Sequence, residues 1–392
     1  MSDNILGSGA YAKVVSDGDL AIKVISISNF KSAVREIGFI NACNHENIIK
    51  INNVKYTNEE ISIHMKKYNC DLYDFMRKNP LLKINLVYKF ARELINAISY
   101  IHSRGIIHGD IKPQNILIDN SKEPSMAICD FGISLSNVEK YHRGKVQTCT
   151  YRAPEVDYDK SKAQYTSSID VWSLGCILFE LAAGFPIVKY QKGIEDSSWY
   201  VCEFYKIHKC SSRTERLKML KSINIRYIRK IICDKMCKYP TRYREFIDSG
   251  FIGLIAFCLH PNYNKRIDAN SALSLINHII HIGPTYNIID FQPIYTDSNQ
   301  TIDEMSCLIN VDFNIISACS TPCLHTAEII YTRYIKIKEN ASENIKLACI
   351  FIASCIYPAP EILVNEITRI INYNRLIRLS SCVLNTLSGK IL

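Results

Sequence analysis

The chain lacks any apolar run long enough to cross a bilayer: its longest, from Leu347 to Ile356, is about half of what a membrane-spanning helix needs. It opens on MSDNILGSGA, which has neither the basic start nor the apolar middle of a secretory leader. No low-complexity tract and no internal repeat is present, and 15 glycines and 12 prolines among 392 residues are too few for a collagen-like or linker-like polymer. These absences exclude fibrous, disordered and membrane-spanning classes. Leu, Ile, Val and Phe are plentiful, so the chain can bury a large core, and its length suits two domains or one bilobal domain with an appendage.

A disulfide framework is missing as well. The 16 cysteines are scattered along a long chain rather than packed into a small one, which implies a reducing, intracellular compartment, cytoplasm or nucleus. Cys233/Cys237 and Cys319/Cys323 have C-x₃-C spacing, and His208 lies near Cys210. That spacing departs from the common zinc patterns, and buried free thiols account for it better.

Charge is uneven. The net +9 conceals a C-terminal part, residues 285–392, with 8 basic and 10 acidic side chains. Residues 206–244 hold 13 Lys/Arg and only two acids, Glu215 and Asp234. Such a stretch attracts an acidic substrate or nucleic acid, or it is a solvated helix face. No aromatic stacking pattern or nucleic-acid motif accompanies it, so no nucleic-acid partner is expected.

Gly7-Ser8-Gly9-Ala10-Tyr11-Ala12-Lys13-Val14, a turn at Asp17-Gly18-Asp19, then Leu20-Ala21-Ile22-Lys23-Val24 reads as two strands around a turn. Gly7 and Gly9 would let a hairpin approach phosphates, and Lys23 could reach their oxygens, although a plain hairpin has the same pattern. Apolar residues at 30, 33, 34, 37 and 40 have the period of an amphipathic helix, with Glu36 on it. That glutamate is either a partner for Lys23 or an ordinary solvated carboxylate.

Further along stand Ile107-His108-Gly109-Asp110-Ile111-Lys112-Pro113-Gln114-Asn115-Ile116-Leu117-Ile118 and Ile128-Cys129-Asp130-Phe131-Gly132. Then come Tyr151-Arg152-Ala153-Pro154-Glu155, Asp170-Val171-Trp172-Ser173-Leu174-Gly175 and Arg266. In this order the motifs resemble the protein-kinase family. The resemblance implies an α+β, bilobal kinase fold over residues 1–284, with a small β-rich lobe to about 66 and a large helical lobe from about 71 to 284. It implies ATP and Mg²⁺ as cofactors and protein substrates as partners. Asp110 would orient the substrate hydroxyl and accept its proton, and Lys112 would neutralise the transferring phosphoryl group. Asn115 and Asp130 would hold Mg²⁺, Glu36 would pair with Lys23, and Arg266 with Glu155. The nucleotide would rest on Gly7, Gly9, Val14, Ala21 and Lys23, with Met65 behind the adenine, the Lys66 and Tyr68 backbones at its edge and Asp71 near the ribose.

Within the kinases the chain is most similar to the cyclin-dependent group, through Ser32-Ala33-Val34-Arg35-Glu36-Ile37, Lys112-Pro113-Gln114-Asn115 and Ser168 to Cys176. Thr148 together with Lys112 implies a serine/threonine acceptor. The departures carry information. Gly109 stands where the family has arginine, Leu135 replaces another arginine, and Arg143 occupies the place of the activating phosphothreonine. Of that electrostatic latch only Arg35 survives, which implies activity without activation-segment phosphorylation. Ala12 replaces the third loop glycine, and Tyr11 is either an inhibitory phosphosite or a packing residue.

Residues 285–300 read as a linker, and residues 301–392 as helical stretches, at 324–335, 345–354 and 376–387, that resemble a single cyclin box. An all-α bundle docking near residues 30–41 and regulating the kinase in cis is the expectation, although Cys355 replaces the lysine that usually makes this contact. The alternative is a catalytically inactive kinase fold acting as a scaffold or binding module.

Overall fold

The computed structural model describes residues 5–8, 12–120, 122–136, 147–158, 165–194, 197–207, 213–238, 246, 250–282, 327, 330–331, 343–356, 367, 371 and 373–387. Gly9, Ala10, Tyr11, Arg143, the 285–300 linker, Cys319, Cys323 and most of the 324–335 stretch lie outside the described residues, as does the side chain of Cys355.

Five antiparallel strands form the small lobe: β1 (Ile5–Ser8), β2 (Ala12–Asp17), β3 (Leu20–Ser26), β4 (Ile51–Tyr56) and β5 (Glu60–Lys66), in the order β1-β2-β3-β5-β4. β5 alternates as a half-covered strand must, with Ile61, Ile63 and Met65 buried on one face. Helix α1 (Phe30–Asn41) crosses the sheet, and Phe30, Ala33, Val34, Ile37 and Ile40, the positions picked out by the 3.6-residue period, are all buried.

The large lobe is helical. Short strand β6 (Cys70–Asp71) leads into α2 (Leu72–Lys78), whose first turn is capped by Asp71 Oδ1 accepting from Asp74 N at 2.8 Å. The long α3 (Ile84–Ser103) is followed by β7 (Ile106–Ile107), β8 (Ile116–Asp119), β9 (Ser125–Ile128) and β10 (Leu135–Ser136), paired as β6-β8-β9 and β7-β10. Beyond them lie α4 (Pro154–Tyr158), α5 (Ser168–Ala183), α6 (Ser197–Tyr205), α7 (Arg213–Ser222), α8 (Ile225–Met236), α9 (Phe251–Cys258) and α10 (Ala269–Ile282). Helix α5 is buried on every side, the pattern of a central helix, and ends at Gly184 with φ 81°. A Cβ there would also sit 2.3 Å from the Pro80 carbonyl, so only glycine fits. A parallel bridge between Ile48 and Ile128 and the bond from Ile49 N to Ile128 O tie the two lobes at the back of the cleft.

Two further helices, α11 (Glu343–Ile356) and α12 (Tyr373–Thr386), pack against each other. Helix α11 lies on α1, where Phe351 stacks on Phe30 with ring centroids 6.0 Å apart and planes 12° from parallel, and α12 touches β4. No helix among the described residues is long and apolar enough to cross a membrane.

Candidate active site

Strand register builds the upper wall of the cleft. Gly7 pairs with Val14, Val14 with Lys23 and Lys23 with Ile63, so these residues form one row across the sheet. Directly opposed residues share a face, and Ala21, two places along β3 and paired with Met65, shares it too. Five of the small-lobe residues expected to line a nucleotide, Gly7, Val14, Ala21, Lys23 and Met65, therefore stand on one surface.

Lys23 is the centre of that wall. Its Nζ donates to Glu36 Oε1 at 2.7 Å and Oε2 at 2.8 Å, and to Asp130 Oδ1 at 2.9 Å. Burial works against the ammonium, but the two carboxylates outweigh it and hold Lys23 above its ordinary value. Glu36 is only 3% exposed, and burial pushes its carboxyl up against the pull of Lys23. Burial acts on Asp130 as well, yet Lys23 above all, with Lys112, draws its carboxyl below the usual range, so it is ionised at neutral pH. Asp130 is held at φ 65°, a left-handed conformation that a residue with a Cβ adopts only at a cost of about 1–3 kcal/mol.

A second cluster faces the first. Asp110 accepts from Lys112 Nζ at 2.6 Å, from Thr148 N and Oγ1 at 3.0 Å each, and from Asn115 Nδ2 at 3.1 Å. Lys112 Nζ also reaches Thr148 Oγ1 at 3.1 Å, so Thr148 bridges the acid and the base. The carboxylate is aimed by four donors from three residues on two segments, the orientation a general base requires. His108 fixes the backbone beneath it. Its Nε2 lies 3.0 Å from the Cys129 carbonyl and must donate there, which leaves Nδ1 to accept from Asp110 N at 3.2 Å.

Asp130 and Asn115 are the residues able to hold a divalent cation. With Asp130 Oδ1 bound to Lys23 and Asn115 Nδ2 bound to Asp110, Asp130 Oδ2 and Asn115 Oδ1 have no hydrogen bond among the described residues. Two hard oxygens of this kind, completed by phosphate oxygens and water, fit Mg²⁺, which is rarely caged by protein alone. At the other end of the cleft Met65 is buried, Lys66 Nζ pairs with Asp119 Oδ2 at 2.6 Å and sits 5.3 Å from the Tyr68 ring centre. Asp71 commits its carboxylate to the α2 cap, accepting from Asp74 N and from the Tyr73 backbone.

Three contributors went unassigned in the motif reading. Asp170, fully buried in α5, accepts from His108 N at 2.8 Å and Gly109 N at 2.9 Å, with His102 Nε2 at 3.0 Å. Burial opposes its charge, but His102 and these amides hold the carboxyl low. Gln147, at φ 64°, donates through its backbone N to the Gly109 carbonyl at 2.9 Å, and its side chain binds Ile169 O, Ser173 Oγ and Ala153 N. Its own carbonyl is taken by Arg152 Nη2 at 2.8 Å and Nε at 3.2 Å. Thr148 was read only as a marker of acceptor type, not as the bridge it forms. An acid inside an apolar helix was the available signal for Asp170, since a buried carboxylate must be paired; nothing local marks Gln147. Below this floor Arg266, fully buried, grips Glu155 through both carboxylate oxygens at 2.6 and 2.9 Å.

Residues 2–277 of the chain match the family model described as "Protein kinase domain". Among curated proteins it is similar to "Cyclin-dependent kinase 14" of Callithrix jacchus, 32% identical over 204 residues, which cover 49% of this chain and 47% of that protein. The proteins of the same name from Mus musculus and Homo sapiens are 32% identical over 204 residues, covering 43% of each. The matched segment thus spans less than half the length of these relatives. A family match over more than two thirds of the chain, laid on a cleft that gathers Lys23, Glu36, Asp110, Asn115 and Asp130, places this chain in the protein kinase family.

Proposed function

We propose that the chain is a serine/threonine protein kinase of the cyclin-dependent type, transferring the γ-phosphate of ATP to protein hydroxyls with Mg²⁺. The observation that carries this reading is the pair of facing clusters, Lys23–Glu36–Asp130 and Asp110–Lys112–Thr148–Asn115. Lys23, held charged by two carboxylates, binds phosphate oxygens. Gly7, Val14, Ala21 and Met65 shape the nucleotide wall, Lys66, Tyr68 and Asp71 supply its far edge, and Gly9 is assigned to the loop above it. Asp110 receives the proton of the acceptor hydroxyl, and Lys112 and Thr148 hold it at the place where that hydroxyl must come. Asp130 and Asn115 would hold Mg²⁺, which would supply neutralisation of charge on the phosphate oxygens. Preference for proline after the acceptor is supported by the Gln147 carbonyl, which Arg152 already occupies and which cannot accept from a substrate amide.

The same reading takes residues 1–284 as the kinase domain, 285–300 as its linker and 301–392 as a cyclin-like bundle that regulates it in cis. The stack of Phe351 on Phe30 supports regulation through α1, because α1 also carries Glu36. Transfer of labelled γ-phosphate to a general substrate tests the reaction, with Asp130→Ala as control. Activity in the unaltered chain and a loss of at least about a thousandfold in the variant are expected; equal, background-level signals would favour the scaffold, the reading that Gly109 and Ala12 support.

A further inference from the structure

Away from the cleft, the most one-sided charge lies on the large lobe. Helix α8 buries Ile228, Ile231, Ile232 and Met236, so Arg226, Tyr227 and Lys230 face solvent, with Arg229 and Lys235 half-buried. Lys206, just past α6, and Lys238, just past α8, are exposed as well. Burial first, then the charges of Lys238 and Lys206, push the Lys235 ammonium below its ordinary value against the pull of Glu203, so these lysines share one neighbourhood. The Tyr227 hydroxyl donates to the Tyr205 carbonyl at 3.2 Å and pins α8 to the end of α6. Among the described residues no ion pair neutralises Lys206, Arg226, Lys230 or Lys238. The exposed Asp234 is the one acid on α8.

A rigid cationic face held together against its own repulsion is a standing attraction for a polyanion. Its position narrows the choice. Helix α8 touches α6, and α6 touches the Cys149–Tyr151 turn that follows Thr148, so the patch stands one helix away from the hydroxyl-accepting corner of the cleft. Arg226 and Lys230, one turn apart, have Cβ atoms about 6 Å from each other on one exposed face, a spacing suited to an extended acidic peptide. Stacking platforms for successive bases are poor here, since Tyr227 is the one aromatic residue on α8.

We propose that Lys206, Arg226, Lys230 and Lys238 form a docking surface for an acidic segment of the protein substrate, separate in sequence from the residue that is phosphorylated. The kinetic part rests on the phosphoryl-transfer reading; the binding part does not.

The test uses the full chain and two fluorescent peptides with one shared serine acceptor and a flexible spacer, one ending in about ten glutamates and the other in uncharged residues. The acidic-tailed peptide is expected to bind at least about tenfold more tightly and to lower KM by a similar factor with kcat unchanged, an advantage that fades with added salt. Arg226→Glu/Lys230→Glu/Lys238→Glu, and the milder Arg226→Gln/Lys230→Gln, erase that advantage and leave the neutral peptide's kinetics as they were. Equal binding of the two peptides overturns the proposal, as does a triple variant that still prefers the acidic tail. Binding of a double-stranded oligonucleotide or phosphatidylserine vesicles to the same residues, with no binding of the peptide, overturns it too. Tail-dependent binding without phosphate transfer refutes the phosphoryl-transfer reading and leaves the docking surface standing.

Discussion

Phe351→Ala is the sharpest perturbation of the contact between the C-terminal helices and α1. The ring is fully buried, is stacked on Phe30, itself 1% exposed, and has the Lys31 ammonium 6.0 Å from its centre. Truncating a buried phenylalanine costs about 3–5 kcal/mol, of which the ring pair contributes about 1 kcal/mol. Placed on the contact between α11 and α1, a loss of about 4 kcal/mol weakens it by roughly a thousandfold, enough to undock helices tethered at millimolar effective concentration when the intact contact is itself about micromolar or weaker. With α1 uncovered, Phe30 meets water and the carboxylate of Glu36, two turns along, loses its fixed aim at Lys23. Phosphate transfer measured against ATP concentration should fall at least tenfold, and truncation after residue 284 should fall as far, while Phe351→Leu keeps most of the rate. A Phe351→Ala protein that melts earlier but transfers phosphate at the full rate would show that α1 is held in place without the tail, and the reasoning would be wrong.

Arg266→Ala strands Glu155 beneath the cleft and should destabilise the chain by about 3–5 kcal/mol in urea denaturation; Arg266→Lys should rescue little, because lysine cannot span both oxygens. Glu180, hydrogen-bonded by the Tyr151 hydroxyl at 2.9 Å, has its carboxyl pushed by burial from 4.5 to about 6. The folded chain therefore holds this proton more tightly than the unfolded one, and stability drains away as pH rises from about 4.5 through 6, by about 2 kcal/mol. Glu180→Gln should remove that slope in denaturation curves taken across this range. Thr148→Val should lower kcat by about a hundredfold with little change in KM for ATP, and Thr148→Ser should restore it, if the hydroxyl bridge aims Asp110. Phosphatase treatment of the purified chain should leave turnover unchanged; an essential phosphorylated residue between 133 and 150 would contradict this.

What could be read from the amino acids alone is what is strictly local. The 30–41 helix was legible because five apolar residues repeat at the helical period, and the same five are buried. The Lys23–Glu36 pair depended on motif order, since neither residue is marked by its neighbours. Asp170 and Gln147 escaped because their roles are non-local: each bonds to segments 22 to 68 residues away, and such contacts leave no trace in periodicity. Ion pairs that are made by side chains on different segments are written in the fold rather than in any window of sequence.

The phosphate latch, whose absence the motif departures lead one to expect, illustrates how that matters. Arg35, the surviving arginine of the three, does not wait for a phosphate: its Nε donates to the Ser134 carbonyl at 2.7 Å, just after Asp130-Phe131-Gly132. Leu135 is buried and pairs with Ile107 in β10-β7, and Ser134 Oγ donates to the His108 carbonyl at 3.0 Å. Gly109 sits at φ 79° with its amide on Asp170 and its carbonyl taken by Gln147, a conformation that costs a side-chain-bearing residue energy and glycine almost none. Hydrogen bonds that need no phosphate thus bind α1, the start of the segment and the catalytic loop to one another. A latch of charges is needed where the segment must be switched between states, and a segment already tied at both ends by Arg35 and Gln147 has less to gain from one. The stability of the cleft then passes to α1, and from α1 to whatever covers Phe30.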